Sequence, residues 1–151
     1  MKILFLSIGG LSSIENHGLY TDLLREFRDN GHEIYVVTAN QRRNETPTQC
    51  LIDNNVHFLR VKVGNLTKTN IVEKGISTVF LEYSFLWAIR KYFQEVKFDL
   101  ILYSTPPITF YRVIKHIKKR DRAKTYLILK DIFPQNAVDL GMFGKRSPIY
   151  N

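Results

Sequence analysis

Cysteine is almost missing from this sequence: Cys50 is the only one in 151 residues. One thiol closes no internal disulfide and builds no multi-thiolate metal site. The fold must therefore rest on its core, and a reducing cytoplasm is the simplest compartment. The four histidines (His17, His32, His57 and His116) include no pair at metal-ligand spacing, so no metal centre is predicted. Long hydrophobic runs are missing too. The longest apolar stretch, Ile76–Phe93, is broken by Ser77, Thr78, Glu82, Ser84 and Arg90, which excludes an ordinary membrane span of about 20 apolar residues. No small-residue cleavage site follows the apolar start of the chain. There is no internal repeat and no low-complexity tract. Neither the G-x-G-x-x-G dinucleotide fingerprint nor the G-x-x-x-x-G-K-[ST] phosphate loop occurs.

Acidic residues are also scarce. Asp and Glu number 14 against 22 Lys and Arg, a net charge of +8. The rest is ordinary: 44% hydrophobic and 24% charged, as in a soluble globular domain. A chain of this length buries roughly 68–70% of its unfolded surface and can build a core unaided.

Lys2–Ser7 is a continuous apolar strand ending at Gly9-Gly10. Continuous runs suit strands buried on both faces of a parallel sheet. Ser12 and Glu15 have capping-box spacing, and Ile14, Leu23, Leu24 and Phe27 give an apolar stripe with Gly31 as its stop. Glu33–Thr38 is the second strand. Residues 39–55 read as polar and irregular. Val56–Val63 is the third strand, and Gly64–Gly75 a polar loop. Ile76–Glu95 is a long helix whose apolar residues spread around most of the wheel, which predicts burial on more than one side. Phe98–Tyr103 is the fourth strand, Ile108–Arg120 a basic helix and Thr125–Lys130 the fifth strand. Pro134 opens a short helix through Leu140, stopped by Gly141. This order predicts an α/β fold: a Rossmann-like, doubly wound, mainly parallel sheet with helices on both faces. Ligands of such sheets bind at the carboxyl ends of the strands. Nothing in Ser147-Pro148-Ile149-Tyr150 closes a domain, so residues 1–151 read as one domain, truncated.

Candidate chemistry gathers at those strand ends. Glycines at Gly9 and Gly10 let backbone approach a ligand, and Ser12, Ser13, Asn16 and His17 follow at the entry to the first helix. His17 suits a base or a hydrogen-bond donor, or else a solvated surface residue. Ser104 and Thr105 precede Pro106-Pro107, which stiffens a loop offering two hydroxyls; capping of the next helix is the other reading. Lys130-Asp131 ends a buried strand, a costly place for charge unless it faces a cleft, and Gln135 and Asn136 follow. Seven cations lie between residues 112 and 124: Arg112, Lys115, Lys118, Lys119, Arg120, Arg122 and Lys124. One acid, Asp121, stands among them. Such a one-signed cluster suits an anionic membrane surface. Nucleic acid ranks lower, because the helix lacks interleaved aromatics and no nucleic-acid motif accompanies it.

Three segments carry a resemblance. They are Gly9-Gly10-Leu11-Ser12-Ser13-Ile14-Glu15-Asn16-His17 with Asn30-Gly31-His32-Glu33-Ile34-Tyr35-Val36-Val37-Thr38; then Phe98-Asp99-Leu100-Ile101-Leu102-Tyr103-Ser104-Thr105-Pro106-Pro107; and Lys130-Asp131-Ile132-Phe133-Pro134-Gln135-Asn136. Together they resemble the N-terminal domain of family 4 glycosyltransferases of GT-B fold, in the branch that makes bacterial O-antigen and capsule. The resemblance implies a retaining enzyme that moves a sugar from a nucleotide-sugar donor to a saccharide or lipid-linked acceptor. It implies no essential metal and no cofactor. This domain would shape the acceptor side, and a C-terminal domain, absent here, would hold the nucleotide, so the fragment alone is expected to be inactive. Substrate contacts are expected from Gly9, Gly10, Ser12, Ser13, Asn16, His17, Ser104, Thr105, Asp131, Gln135 and Asn136. Asp131, Ser104 and His17 are the candidates for catalysis. Where many relatives have histidine after the fourth strand, this chain has Ser104. The expected place is the cytoplasmic face of the cell membrane, peripherally bound. The rival reading is a non-catalytic nucleotide- or nucleic-acid-binding α/β module.

Overall fold

A computed structural model describes residues 1–9, 11–41, 46–64, 71–104 and 110–129. Five strands run parallel: β1 (Lys2–Ser7), β2 (Glu33–Gln41), β4 (Val56–Val63), β5 (Leu100–Ser104) and β6 (Lys124–Ile128). The strand β3 (Gln49–Asp53) is antiparallel at one edge, and the order across the sheet is β3-β4-β2-β1-β5-β6. The helices are α1 (Leu19–Asp29), α2 (Ile71–Tyr92) and α3 (Tyr111–Asp121). This is the Rossmann-like α/β arrangement that the continuous apolar strands predict.

Side chains alternate along each strand, so a doubly buried strand feeds two cores. In β1, Ile3, Leu4, Phe5 and Leu6 are all 0% exposed. Leu4 and Leu6 join Val37, Leu59 and Ile101 under Phe85 and Ile89 of α2 and Val113 and Ile117 of α3. Ile3 and Phe5 join Ile34, Val36, Phe58 and Leu102 under Ile14 and Leu24. Helix α1 therefore covers one face of the sheet, and α2 with α3 the other. Each fully buried aliphatic or phenyl side chain contributes about 1.5–3 kcal/mol.

Three features differ from the sequence reading. Residues 39–55 are not irregular throughout, because β2 continues to Gln41, paired with Val63, and β3 forms a hairpin with β4. The hairpin turns through Asn54 and Asn55 at φ 46° and 64°, left-handed values that asparagine tolerates in a tight two-residue loop. Helix α1 begins at Leu19, with Gly18 as its N-cap, and not at Ser12. Ser13, not Ser12, accepts the Glu15 amide at 3.3 Å, while the Glu15 carboxylate pairs with Arg28 at 2.8 Å. A side chain at Gly18 would place its Cβ 3.1 Å from the Thr21 hydroxyl, a close approach that favours glycine. Helix α2 begins at Ile71, inside the predicted loop, and ends at Tyr92. Among its described side chains, Leu81, Phe85, Ala88 and Ile89 face the core, whereas Phe80, Tyr83 and Trp87 are exposed. The predicted helix 134–140 lies outside the described residues. Gly31 does stop α1, at φ 79°, and its amide donates to the Arg28 carbonyl.

At the end of the strands opposite their carboxyl termini, one ion pair fastens α3. Asp121 has a fully buried side chain. It accepts from Arg120 at 2.6 and 2.7 Å and from the Phe98 amide at 3.0 Å. Arg120 also donates to the carbonyls of Phe93 and Val96, at 3.2 and 2.7 Å. The pair thus joins the end of α3 to the turn that leads from α2 into β5. Burial works to raise the Asp121 pKa, but the hydrogen bonds from Arg120 and Phe98 and the nearby positive charge outweigh it and hold the carboxyl below its usual 3.8. His116 is pushed below its usual 6.5, first by burial and then by the charges of Arg90 and Arg120. The Arg90 guanidinium lies 3.3 and 3.4 Å from its ring nitrogens.

Two expectations follow for stability. Asp121→Asn removes a charge-assisted hydrogen-bonded pair and lowers the unfolding free energy by about 1.5–3 kcal/mol in a urea titration. The pH profile has two acid limbs. A histidine that is harder to protonate when folded costs stability as pH falls through 6.5, where the unfolded chain takes up its proton first; His116→Gln flattens that limb. A carboxylate with a lowered folded pKa stabilises above 3.8 and loses that contribution below it; Asp121→Asn removes this second limb.

Candidate functional site

A parallel sheet delivers its strands to one edge, and the connecting loops meet there. Register aligns four polar residues across that edge. Ser7 pairs with Thr38, Thr38 pairs with Arg60, and Leu6 pairs with Tyr103, which puts Ser104 beside Ser7. Ser104, Ser7, Thr38 and Arg60 thus form a row over β5, β1, β2 and β4. Strand alternation places this row on the α1 face, one step beyond Phe5, Val36, Phe58 and Leu102.

The loop between β1 and α1 lies against the row and is held by side chains from four elements, β1, β2, β4 and α1. Thr38, 2% exposed, donates its hydroxyl to the Gly9 carbonyl at 2.5 Å and accepts the Leu11 amide at 3.3 Å. Ser7 donates to the same Gly9 carbonyl at 3.3 Å. Arg60 of β4 donates to the Ser12 carbonyl at 2.8 Å, and Arg25 of α1 to the Ile14 carbonyl at 2.5 Å. Arg28 ties Glu15 to α1 and reaches the Asn54 carbonyl at 3.2 Å. Ile14, 0% exposed, plugs the loop into the core. Beside it, buried Asn40 donates to the Thr46 carbonyl at 3.2 Å and also to the Thr46 hydroxyl.

Of the residues singled out from sequence, Gly9, Ser12, Ser13, Asn16, His17 and Ser104 all fall on this edge or its loop. Gly9 has room for a side chain, since an added Cβ would meet the Ser7 hydroxyl at 3.6 Å. The His17 side chain is 95% exposed and lies 3.6 Å from the Asp22 carboxylate. Its surroundings match the solvated reading. Gly10, Thr105, Asp131, Gln135 and Asn136 lie outside the described residues. Sequence reasoning missed Arg60 and the role of Thr38, whose partners lie 48, 27 and 29 residues away, so no local spacing announces them; it also missed Asn40, whose partner Thr46 is close in the chain. Burial pushes the Cys50 thiol up, which keeps it a thiol and a poor nucleophile at neutral pH. Among the described residues, no three His, Cys, Asp or Glu side chains are grouped to hold a metal. No described helix is long and apolar enough to cross a membrane.

Next to the row, an apolar trough of about 360 Å³ runs between Leu19, Leu23 and Phe27 of α1 and Leu100, Leu102, Tyr126 and Ile128 of the sheet. The basic cluster lies elsewhere and is not one face. Arg112, Lys115, Lys118 and Lys119 are exposed along α3 on the other side of the sheet. Arg120 turns inward to Asp121. Arg122 caps α3 in a left-handed conformation, and Lys124 opens β6, both at the amino edge of the strands.

The fold defines a Rossmann-like α/β domain with a polar carboxyl edge. No family model and no curated protein sequence matches the chain. Solved structures do. The trehalose-6-phosphate protein of E. coli bound with UDP-2-fluoro glucose matches with a TM-score of 0.55 at 9% identity. The match covers 89% of this chain and 34% of that one, so the chain spans about a third of that neighbour's length. What the two share is the fold.

Thr38→Val keeps the shape of the residue but leaves the Leu11 amide unpaired and the Gly9 carbonyl with only the longer bond from Ser7. A loss of about 1–3 kcal/mol in unfolding free energy is expected. Faster proteolysis within residues 9–18 is expected with it, read by mass spectrometry of the fragments.

Proposed function

We propose that this chain is the acceptor-side, N-terminal domain of a retaining glycosyltransferase of GT-B fold. It would move a sugar from a nucleotide-sugar donor to a saccharide or lipid-linked acceptor in bacterial surface-polysaccharide synthesis, at the cytoplasmic face of the membrane. The observation that carries this reading is the polar row Ser104–Ser7–Thr38–Arg60 with the pinned loop beside it, in a fold shared with a protein bound to UDP-2-fluoro glucose. The resemblance of the three sequence segments supports the finer assignment.

The chemistry asked of such a domain is positioning. Hydroxyls and backbone groups at the edge orient the acceptor hydroxyl, and an edge fixed in advance costs little reorganisation when the sugar transfers. The two arginines and Thr38 supply that fixity by engaging the loop's own carbonyls. Ser104 is the described side chain at the edge best placed to meet an acceptor. Asp131, from the following segment, is the second candidate. The nucleotide would be held by a further domain, in keeping with the share of the neighbour's length that this chain spans.

The test is transfer by the full-length gene product, given UDP-sugars and a lipid-linked saccharide acceptor. Ser104→Ala is expected to raise the acceptor KM or lower kcat by about tenfold, the worth of one hydrogen bond of about 1.4 kcal/mol. Asp131→Asn is expected to reduce turnover further. No transfer with any nucleotide sugar, together with unchanged acceptor binding in both variants, would refute the reading.

A further inference from the structure

Helix α2 carries three large apolar side chains outward. Phe80, Tyr83 and Trp87 are 62%, 48% and 58% exposed, at spacings of three and four residues that make one helix face. Tyr111, 62% exposed, adds a fourth ring at the start of α3. Cations are threaded between the rings. The Arg112 guanidinium sits 5.1 Å from the Tyr83 ring centre, Lys91 lies 5.0 Å from that of Trp87, and Lys115 lies 5.6 Å from that of Tyr111. From Phe80 to the end of α2, and along all of α3, the only acids are Glu82 and Asp121. Glu82 is paired with Arg112, and Asp121 is buried against Arg120. Lys115, Lys118 and Lys119 extend the positive charge along exposed positions.

Read alone, α3 is a basic helix with no aromatics beyond its first residue. Packed beside α2, it becomes half of a mixed aromatic and cationic face. That pairing has a specific physical use. Aromatic rings with a polar edge settle at the boundary between headgroups and acyl chains, while Lys and Arg take lipid phosphates just above it. Protein interfaces, in contrast, are depleted in lysine. Nucleic acid stacks on aromatics that line a groove, whereas these line the outer side of a helix.

We propose that the α2–α3 face docks on an anionic lipid bilayer. Phe80, Tyr83 and Trp87 enter its headgroup boundary, and Arg112, Lys115, Lys118 and Lys119 bind its phosphates. This deepens the peripheral localisation in the preceding reading, yet it does not depend on sugar transfer. Loss of transfer with intact vesicle binding would remove that reading and leave this one standing.

Trp87 is the only tryptophan in the chain, so its fluorescence reports this face alone. The chain is mixed with phosphatidylglycerol vesicles, with phosphatidylcholine vesicles and with a single-stranded oligonucleotide, at physiological salt. The expected result is a blue shift of Trp87 emission on phosphatidylglycerol vesicles, quenched by brominated acyl chains, and weak or no response to phosphatidylcholine. Arg112→Glu and Lys115→Glu each weaken co-sedimentation by at least about fivefold. Phe80→Ser with Tyr83→Ser weakens it at high salt as well. All of these positions are exposed, so an unchanged circular dichroism spectrum and thermal midpoint verify the fold. Three results would overturn the proposal: unshifted emission on both kinds of vesicle; a response to the oligonucleotide and not to vesicles; or a blue shift without lipid that grows with protein concentration, which marks self-association.

Discussion

Burial of the central strands on both faces is the constraint from which the rest of this structure follows. Ile3, Leu4, Phe5 and Leu6 are sealed on either side of β1, and Ile34, Val36 and Val37 likewise in β2. Their backbone groups are satisfied sideways, by neighbouring strands, so every side chain is free to be apolar. Such a strand needs cover above and below, and only crossovers that alternate between faces supply it. Helix α1 takes one face, α2 and α3 the other. Once those strands run parallel, their carboxyl ends meet at one edge. On the α1 face, the apolar side chains Phe5, Val36, Phe58 and Leu102 give way there to Ser7, Thr38, Arg60 and Ser104. The polar row is thus a consequence of register rather than of a local motif.

Much of the positive charge is taken up inside this frame. Arg120 counts toward a basic cluster on composition, yet its guanidinium is spent on Asp121 and on two carbonyls at the turn before β5. Arg60 and Arg25 are likewise spent on loop carbonyls. An arginine is well suited to this work, because its planar fork of donors can serve several fixed acceptors at once. What remains as exposed positive charge along α3 is narrower than the sequence suggests: Arg112, Lys115, Lys118 and Lys119. That remainder lies beside the aromatic side of α2, which no property of α3 alone foretells.

The parts of the fold legible in the sequence are those governed by nearest neighbours along the chain. Lys2–Ser7 and Val56–Val63 are strands over the residues read from their apolar patterns, and Gly31 ends α1 at the left-handed value it was chosen for. β3 escaped because an edge strand need not look apolar. Its signal was the Asn54-Asn55 pair, which a two-residue turn uses for positive φ. The start of α1 was misplaced because Ser12 and Glu15 have the right spacing for a cap, but Glu15 found a stronger partner in Arg28. The apolar residues of α2 predict burial on more than one side, but wheel position alone cannot tell a core phenylalanine such as Phe85 from an outward one such as Phe80. At the site, the strand-end residues Gly9, Ser12, Ser13 and Ser104 were legible from topology. The residues that hold them were not, since Thr38 and Arg60 act across long loops.

Topology also fixes how the two surfaces relate. Helices α2 and α3 each leave the carboxyl edge and run back toward the amino edge, as right-handed crossovers of parallel strands require. Their first turns therefore stand toward the carboxyl edge, and Tyr111 and Arg112 are the α3 residues closest in sequence to Ser104. A bilayer seated on the α2–α3 face would leave α1 and its loop on the far side of the sheet, clear of the lipid. It would also bring the carboxyl edge alongside the membrane surface instead of above it. On the proposed docking, the cost of exposing Phe80, Tyr83 and Trp87 to water is offset by the bilayer boundary that they enter.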